Sequence, residues 1–158
     1  MSEIVLTRID DRLIHGQVMT AWVKKTRANH ILIIDNEVAK DEFMSEVLKM
    51  SAPSGITITV KSLEDAFGFL EESQAKKEKF ILLVKGPGII LSLVEHGITI
   101  KKLVVGGMGA KANRRVLYKN IAASEEERAI FKKIISKGVP VVIHIIPDQK
   151  EIDLSKQL

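Results

Sequence analysis

A chain of 158 residues, 46% apolar and 28% charged, can bury a sizeable core and has neither a disordered nor a membranous composition. It has no cysteine, which excludes disulfides and thiolate metal sites and makes the cytoplasm the simplest setting; no apolar run is long enough to span a bilayer, and the amino terminus lacks a signal-peptide layout. The net charge of +4 favours acidic or phosphorylated partners, but with 4% aromatic residues and no nucleic-acid motif the lysines read as solvated helix faces.

Ile4 to Ile9 has the look of a first strand, and Gln17 to Lys25 reads as a helix, with Val18, Ala21 and Trp22 at i, i+3, i+4 spacing. Ile31 to Ile34 is a continuous apolar run of the kind buried on both faces of a parallel sheet, closed by Asp35, Asn36 and Glu37. Asp41 to Met50 reads as a helix with Phe43, Met44, Val47 and Leu48 on one side, stopped by Pro53 and Gly55. Ile56 to Val60 forms a third strand, and Ser62 with Asp65 resembles a capping box opening a helix that carries Leu63, Ala66, Phe67 and Leu70. Phe80 to Val84 is a fourth strand, followed by a helix with Pro87 suited to its first position and Gly97 to its left-handed cap.

Leu103 to Val105 is a fifth strand, and Ala110 to Asn120 reads as a polar, irregular excursion. Ser124 with Glu127 makes a second capping box, opening a helix with Ile130, Phe131, Ile134 and Ile135 inward and Gly138 at its end. Val141 to Ile146 is the last strand, and the polar tail from Pro147 is expected to be loosely held or docked on a partner. Strands alternating with helices predict an α/β fold with a mainly parallel sheet. Ligands of such sheets bind beyond the carboxyl ends of the strands, which gathers His15, Asp35, Lys61, Lys85 and Gly106 on one edge.

Between the first strand and the first helix runs RIDDRLIHGQ, Arg8 to Gln17, with His15 at the turn into the helix. Unpaired N–H groups and the positive end of the peptide dipole welcome an anion there. A neutral imidazole is a nucleophile, and Arg12 can offer a two-pronged clamp to a phosphoryl group arriving on it. Asp10 and Asp11 are placed to orient the arginines, with a solvent-facing role left open for Asp11. The spacing alone also leaves open the plainer alternative of a surface or capping histidine.

Other constellations are weaker. Gly107 to Ala112 fits G-x-G-x-x-A, but it falls late, and Asn113, Arg114 and Arg115 follow in place of a clean helix, so it reads as a turn. Lys85 to Gly88 lacks the ending of a Walker loop. His30, His96 and His144 are isolated, without metal-ligand spacing, and no nucleophile elbow accompanies a serine. No cofactor or metal is called for. A nucleotide-binding regulatory module using the glycines after Gly106 is the rival reading.

Arg8 to Val18, RIDDRLIHGQV, resembles the active-site loop of enzyme IIB of the mannose/sorbose family of the bacterial phosphoenolpyruvate-dependent sugar phosphotransferase system. The resemblance continues through Asp35 to Ala39, Val104 to Met108 and Ser124 to Phe131. It implies a single three-layer α/β/α domain over residues 1–158, cytoplasmic and associated with a membrane permease. It also implies a phosphotransferase: His15 takes a phosphoryl group from phosphorylated enzyme IIA and gives it to a sugar entering through membrane subunits IIC and IID. By match of position Arg12 is the phosphate partner, and Arg8, Asp10, Asp11, Gly16 and Gln17 complete the loop. Asn36 stands where many relatives carry an acidic residue, so that second loop is assigned no catalytic role. Self-association stays open.

Overall fold

An apolar run such as Ile31 to Ile34 satisfies all its side chains only when both faces of its strand are covered. The computed structural model, which describes residues 2–158, shows how that cover is built. The chain begins with β1 (Glu3–Asp10), α1 (Gly16–Thr26), β2 (His30–Ile34), α2 (Asn36–Lys40), α3 (Glu42–Met50) and β3 (Thr57–Lys61). It continues with α4 (Leu63–Glu72), β4 (Lys79–Val84), α5 (Pro87–Glu95) and β5 (Leu103–Gly107). Then come β6 (Arg115–Tyr118), β7 (Ile121–Ala123), α6 (Glu125–Ser136), β8 (Val141–Ile143) and β9 (Ile152–Asp153).

Seven strands join in the order β3-β2-β4-β1-β5-β8-β9, while β6 and β7 form a separate two-stranded ribbon. Pairing in the large sheet is parallel except between β8 and β9. The pleat sorts side chains into two cores. Ile31, Ile33, Ile81 and Leu83 join Met19 and Trp22 of α1, Val38 of α2 and Leu48 of α3. Leu32, Ile34, Leu82 and Val84 join Leu70 of α4, Ile90 of α5 and Phe131 of α6. Each such side chain contributes roughly 1.5–3 kcal/mol on burial. The result is a three-layer α/β/α arrangement around a mainly parallel sheet, as expected.

The helix ends follow their residues. Gly97 and Gly138 take the left-handed conformation, with φ of +91° and +89°, and α6 carries both halves of its capping box. At α4 the Ser62 hydroxyl accepts from the Asp65 N–H at 3.2 Å.

The structure differs from the sequence reading in four places. Asn36 to Lys40 is a short helix, α2, whose start is capped by the Asp35 carboxylate accepting from the Val38 N–H. On α3 only Leu48 is buried, while Phe43 and Met50 are 69% and 84% exposed; this helix packs over β3, an edge strand, and has sheet beneath only part of its face. The stretch read as irregular contains the hairpin β6–β7, which turns at Lys119 with φ +49°. The strand read as Val141 to Ile146 ends at Ile143, and the tail is neither loose nor free. Ile152 pairs with Ile143, and Leu154, which opens a closing turn over Leu154–Gln157, is fully buried in the core cluster that Ile152 also packs against.

Parallel pairing brings the carboxyl ends of β1 to β5 to one edge. There the Asp35 N–H donates to the Lys61 carbonyl at 3.0 Å, and Lys85 Nζ lies 3.9 Å from Asp35 Oδ2.

Candidate active site

The site grows from β1, which lies between β4 and β5. Arg8 is on this strand and is fully buried. Its Nη1 donates to the His144 carbonyl at 2.9 Å and its Nη2 to the Ile145 carbonyl at 3.1 Å. The guanidinium lies 5.4 Å from the Trp22 ring centre, and Trp22 Nε1 donates to the same Ile145 carbonyl at 2.9 Å. Gly106 makes the space: a Cβ there would stand 2.0 Å from Arg8 Nη2. Burial pushes the Arg8 pKa down to about 10 against the pull of Asp10, with Arg12 adding to the lowering, so the group stays cationic at neutral pH. Arg8 therefore lies beneath the loop, not at its mouth.

Asp10 is the hub and is almost fully buried. Its Oδ1 accepts from the Arg12 backbone N–H at 3.0 Å and from Arg12 Nε at 3.1 Å, and its Oδ2 accepts from Arg12 Nη2 at 3.2 Å. Arg8 Nη2 approaches Oδ2 from behind at 3.7 Å. The register slips here, since Ile9 faces Val105 and Asp10 faces Gly107, leaving Gly106 as a bulge. A Cβ on Gly107 would meet Asp10 Oδ1 at 2.5 Å, so both glycines are spent on seating charged side chains. Of the two glycines in the G-x-G-x-x-A pattern, Gly107 thus seats Asp10 and Gly109 gives its N–H to Asp11 Oδ2, which argues against a nucleotide loop there. The Arg12 side chain is 48% exposed. Its hydrogen bonds to Asp10, opposed by a smaller cost of burial, raise its already high pKa. One edge of the guanidinium is held by Asp10, and among the described residues Nη1 has no partner.

The loop then turns back on Leu13, whose φ is +59° and whose N–H donates to the Asp10 carbonyl at 2.8 Å. A left-handed leucine costs roughly 1–2 kcal/mol, which the burial of its side chain beside Met19 offsets at roughly 1.5–3 kcal/mol. His15 follows as the residue before α1, with its side chain exposed and unused as a cap. Its carbonyl accepts from the Val18 and Met19 N–H groups at 3.1 and 3.2 Å. Gly16, with φ +33°, and Gln17 are exposed at the helix start, where N–H groups have no intrahelical partner.

Asp11 does not face free solvent. Its Oδ2 accepts from the Gly109 N–H at 2.8 Å and from Arg114 Nη1 at 3.3 Å. The Arg114 side chain is 4% exposed, and its Nε and Nη2 fork onto the Glu127 carboxylate, each at 2.9 Å. Sequence reasoning missed Arg114, which it left in the irregular excursion; the one available signal was the capping box that fixes Glu127. Burial would raise the Glu127 carboxyl, but the hydrogen bonds from Arg114 and Ser124 outweigh it and hold the pKa below its ordinary value. Among the described residues no group of three or more His, Cys, Asp or Glu side chains is placed to hold a metal ion.

Residues 4–158 match the family described as PTS system sorbose subfamily IIB component. The chain belongs to this family. It is 32% identical over 151 residues to the PTS system sorbose-specific EIIB component of Lacticaseibacillus casei, covering 96% of this chain and 92% of that one. It is 32% identical over 158 residues to the mannose-specific EIIAB component of Escherichia coli, covering 98% of this chain and 49% of that one. The crystal structure of the IIBSor domain of the Klebsiella pneumoniae sorbose permease superposes with a TM-score of 0.94 at 31% identity, covering 98% of this chain and 95% of that one. As a IIB component the chain is a phosphotransferase-system protein of sugar transport. Among the described residues no helix is long and apolar enough to cross a membrane.

Proposed function

We propose that this IIB component is a cytoplasmic phosphocarrier that takes a phosphoryl group from phosphorylated enzyme IIA onto His15 and passes it to a sugar entering through membrane subunits IIC and IID. The observation that carries the reading is the exposed His15 imidazole at the open start of α1, in the same loop as an Arg12 guanidinium gripped along one edge by Asp10. The Escherichia coli EIIAB relative, which joins two components in one chain, supports IIA as the donor.

In the first step a lone pair of the His15 ring attacks phosphorus. A new N–P bond forms as the donor's bond to phosphorus breaks, and the donor atom keeps the electron pair of that bond. Charge spreads over three equatorial oxygens in such a transfer, so catalysis is positioning and electrostatic stabilisation. The free Nη1 of Arg12 and the N–H groups of Gly16 and Gln17 serve that charge. In the second step a sugar hydroxyl oxygen attacks, the His15 N–P bond breaks, the ring regains its pair and the hydroxyl proton is released. Arg8, Asp10 and Asp11 build the floor.

A chase experiment tests the relay. The chain, labelled through phosphoenolpyruvate and the upstream proteins, holds its phosphate when isolated and loses it to sugar only when its membrane subunits are added. Delivery to sugar without those subunits, or no delivery with them, contradicts the carrier role.

A further inference from the structure

We infer that Arg114 is a positioning residue for phosphoryl transfer at His15, acting through Asp11; the inference rests on the carrier reading above. One guanidinium joins three separate segments at the carboxyl edge. Its Nε and Nη2 hold Glu127, the third residue of α6. Its Nη1 donates to the Gly109 carbonyl at 2.8 Å, just beyond β5, and reaches Asp11 Oδ2 at 3.3 Å. Asp11 in turn accepts from the Gly109 N–H, so the stretch from Asp11 to His15 is tied to α6 and to the loop after β5 at a single point.

Glu127 Oε1 also accepts from the Ser124 N–H at 2.9 Å, which ties the fork to the amino end of α6. The other flank is close as well, since a Cβ on Gly86 would stand 3.8 Å from Glu127 Oε2. Arg114 enters from the ribbon of β6 and β7, which is not hydrogen-bonded into the main sheet and is anchored to the β5 side by the Ala122 N–H donating to the Met108 carbonyl at 2.8 Å. A buried ion pair is a poor source of net stability but fixes geometry. Geometry is what a phosphoryl relay needs, and small displacements of a positioned group cost up to about a hundredfold in rate. Asp11 is the covalent neighbour of Arg12, so a shift in one is carried to the other through a single peptide unit. Lysine at 114 keeps a charge but loses the planar fork that spans Glu127 and Asp11 together.

The test is single-turnover phosphoryl transfer from phosphorylated enzyme IIA, measured across donor concentrations with the full chain. The proteins compared are wild type, Arg114→Lys, Asp11→Asn, the double variant and His15→Ala. Each single change lowers the limiting rate by about tenfold and leaves the half-saturating donor concentration unchanged. The double variant is no slower than the slower single one, because both changes break the same contact. Backbone amide resonances from Arg12 to Gly16 shift in Arg114→Lys. A wild-type limiting rate in folded Arg114→Lys, or losses that multiply in the double variant, would overturn the inference. Should Arg114→Lys fail to fold, an unchanged limiting rate in Asp11→Asn overturns it equally. No transfer to the wild type, or transfer to His15→Ala, defeats the carrier reading itself and this inference with it.

Discussion

Arg8 and Arg12 lie on either side of Asp10 and both reach its carboxylate, yet their surroundings are opposite. Arg8 is fully buried with two backbone carbonyls and a tryptophan face as partners. Arg12 is 48% exposed, and among the described residues one guanidinium nitrogen has no partner. The difference is set by the strand. Arg8 is within β1, where the bulge at Gly106 and the turn after β8 leave a pocket for its head group. Arg12 is past the strand end, where among the described residues its side chain is held by Asp10 alone. One arginine therefore supports structure and the other is free to act, and each role can be broken separately.

The largest effect is expected at Arg8. Arg8→Met keeps the stem but strips Asp10 of its inner counter-charge, leaves the His144 carbonyl without its side-chain donor and leaves the Ile145 carbonyl with Trp22 Nε1 alone. It should cost about 3 kcal/mol, at the low end for a broken buried pair because Arg12 still holds Asp10; urea unfolding measures it. Gly106→Ala places a Cβ where the guanidinium sits, and the displaced group should cost about 1–3 kcal/mol, as overpacking does. Combined with Arg8→Met the two costs should fall short of their sum, since the methionine no longer fills that space. Strict additivity would break the link between the bulge and the buried arginine.

Arg12→Lys should behave the other way. Stability falls by only about 1 kcal/mol, since lysine keeps a charge beside Asp10 but cannot make both side-chain hydrogen bonds. Transfer slows by at least about tenfold, or roughly 1.4 kcal/mol of lost transition-state stabilisation. An unchanged rate removes Arg12 from the mechanism. The smallest effect is on acid stability. The Glu127 carboxyl lies below its ordinary 4.5 in the folded chain, so its contribution is complete above that value and is lost as pH falls through the lower, folded one. Glu127→Gln should flatten that part of the stability-against-pH curve. An identical acid slope in both proteins would mean that the Arg114 fork does not hold the carboxylate ionised.

Much of this arrangement is legible in the sequence because its causes are local. Apolar runs give the strands, the glycines at 97 and 138 give the helix ends, and the strand-to-helix turn puts His15 at the carboxyl edge. The rest depends on contacts far apart along the chain. Arg8 alternates with Leu6 and Asp10 like any strand residue, and its burial is decided by carbonyls 136 and 137 positions away. Arg114 meets Asp11 across 103 positions, and no local pattern marks it. Asp11 itself is ambiguous in the sequence, because its partner Arg114 is so distant along the chain. The tail hides its role for a simpler reason: Ile152 and Leu154 follow a polar stretch and form too short a pattern to register as a strand.

Whether His15 takes up the phosphate is read from intact mass after incubation with phosphoenolpyruvate and the upstream phosphotransferase proteins. The wild-type chain should gain one phosphate. The linkage should be acid-labile and comparatively stable to base, because a phosphoramidate loses its phosphoryl group once the ring is protonated. His15→Ala should gain none, while alanine at His30, His96 or His144 leaves the label intact. A His15→Ala chain that still takes up one acid-labile phosphate would mean that another residue carries it.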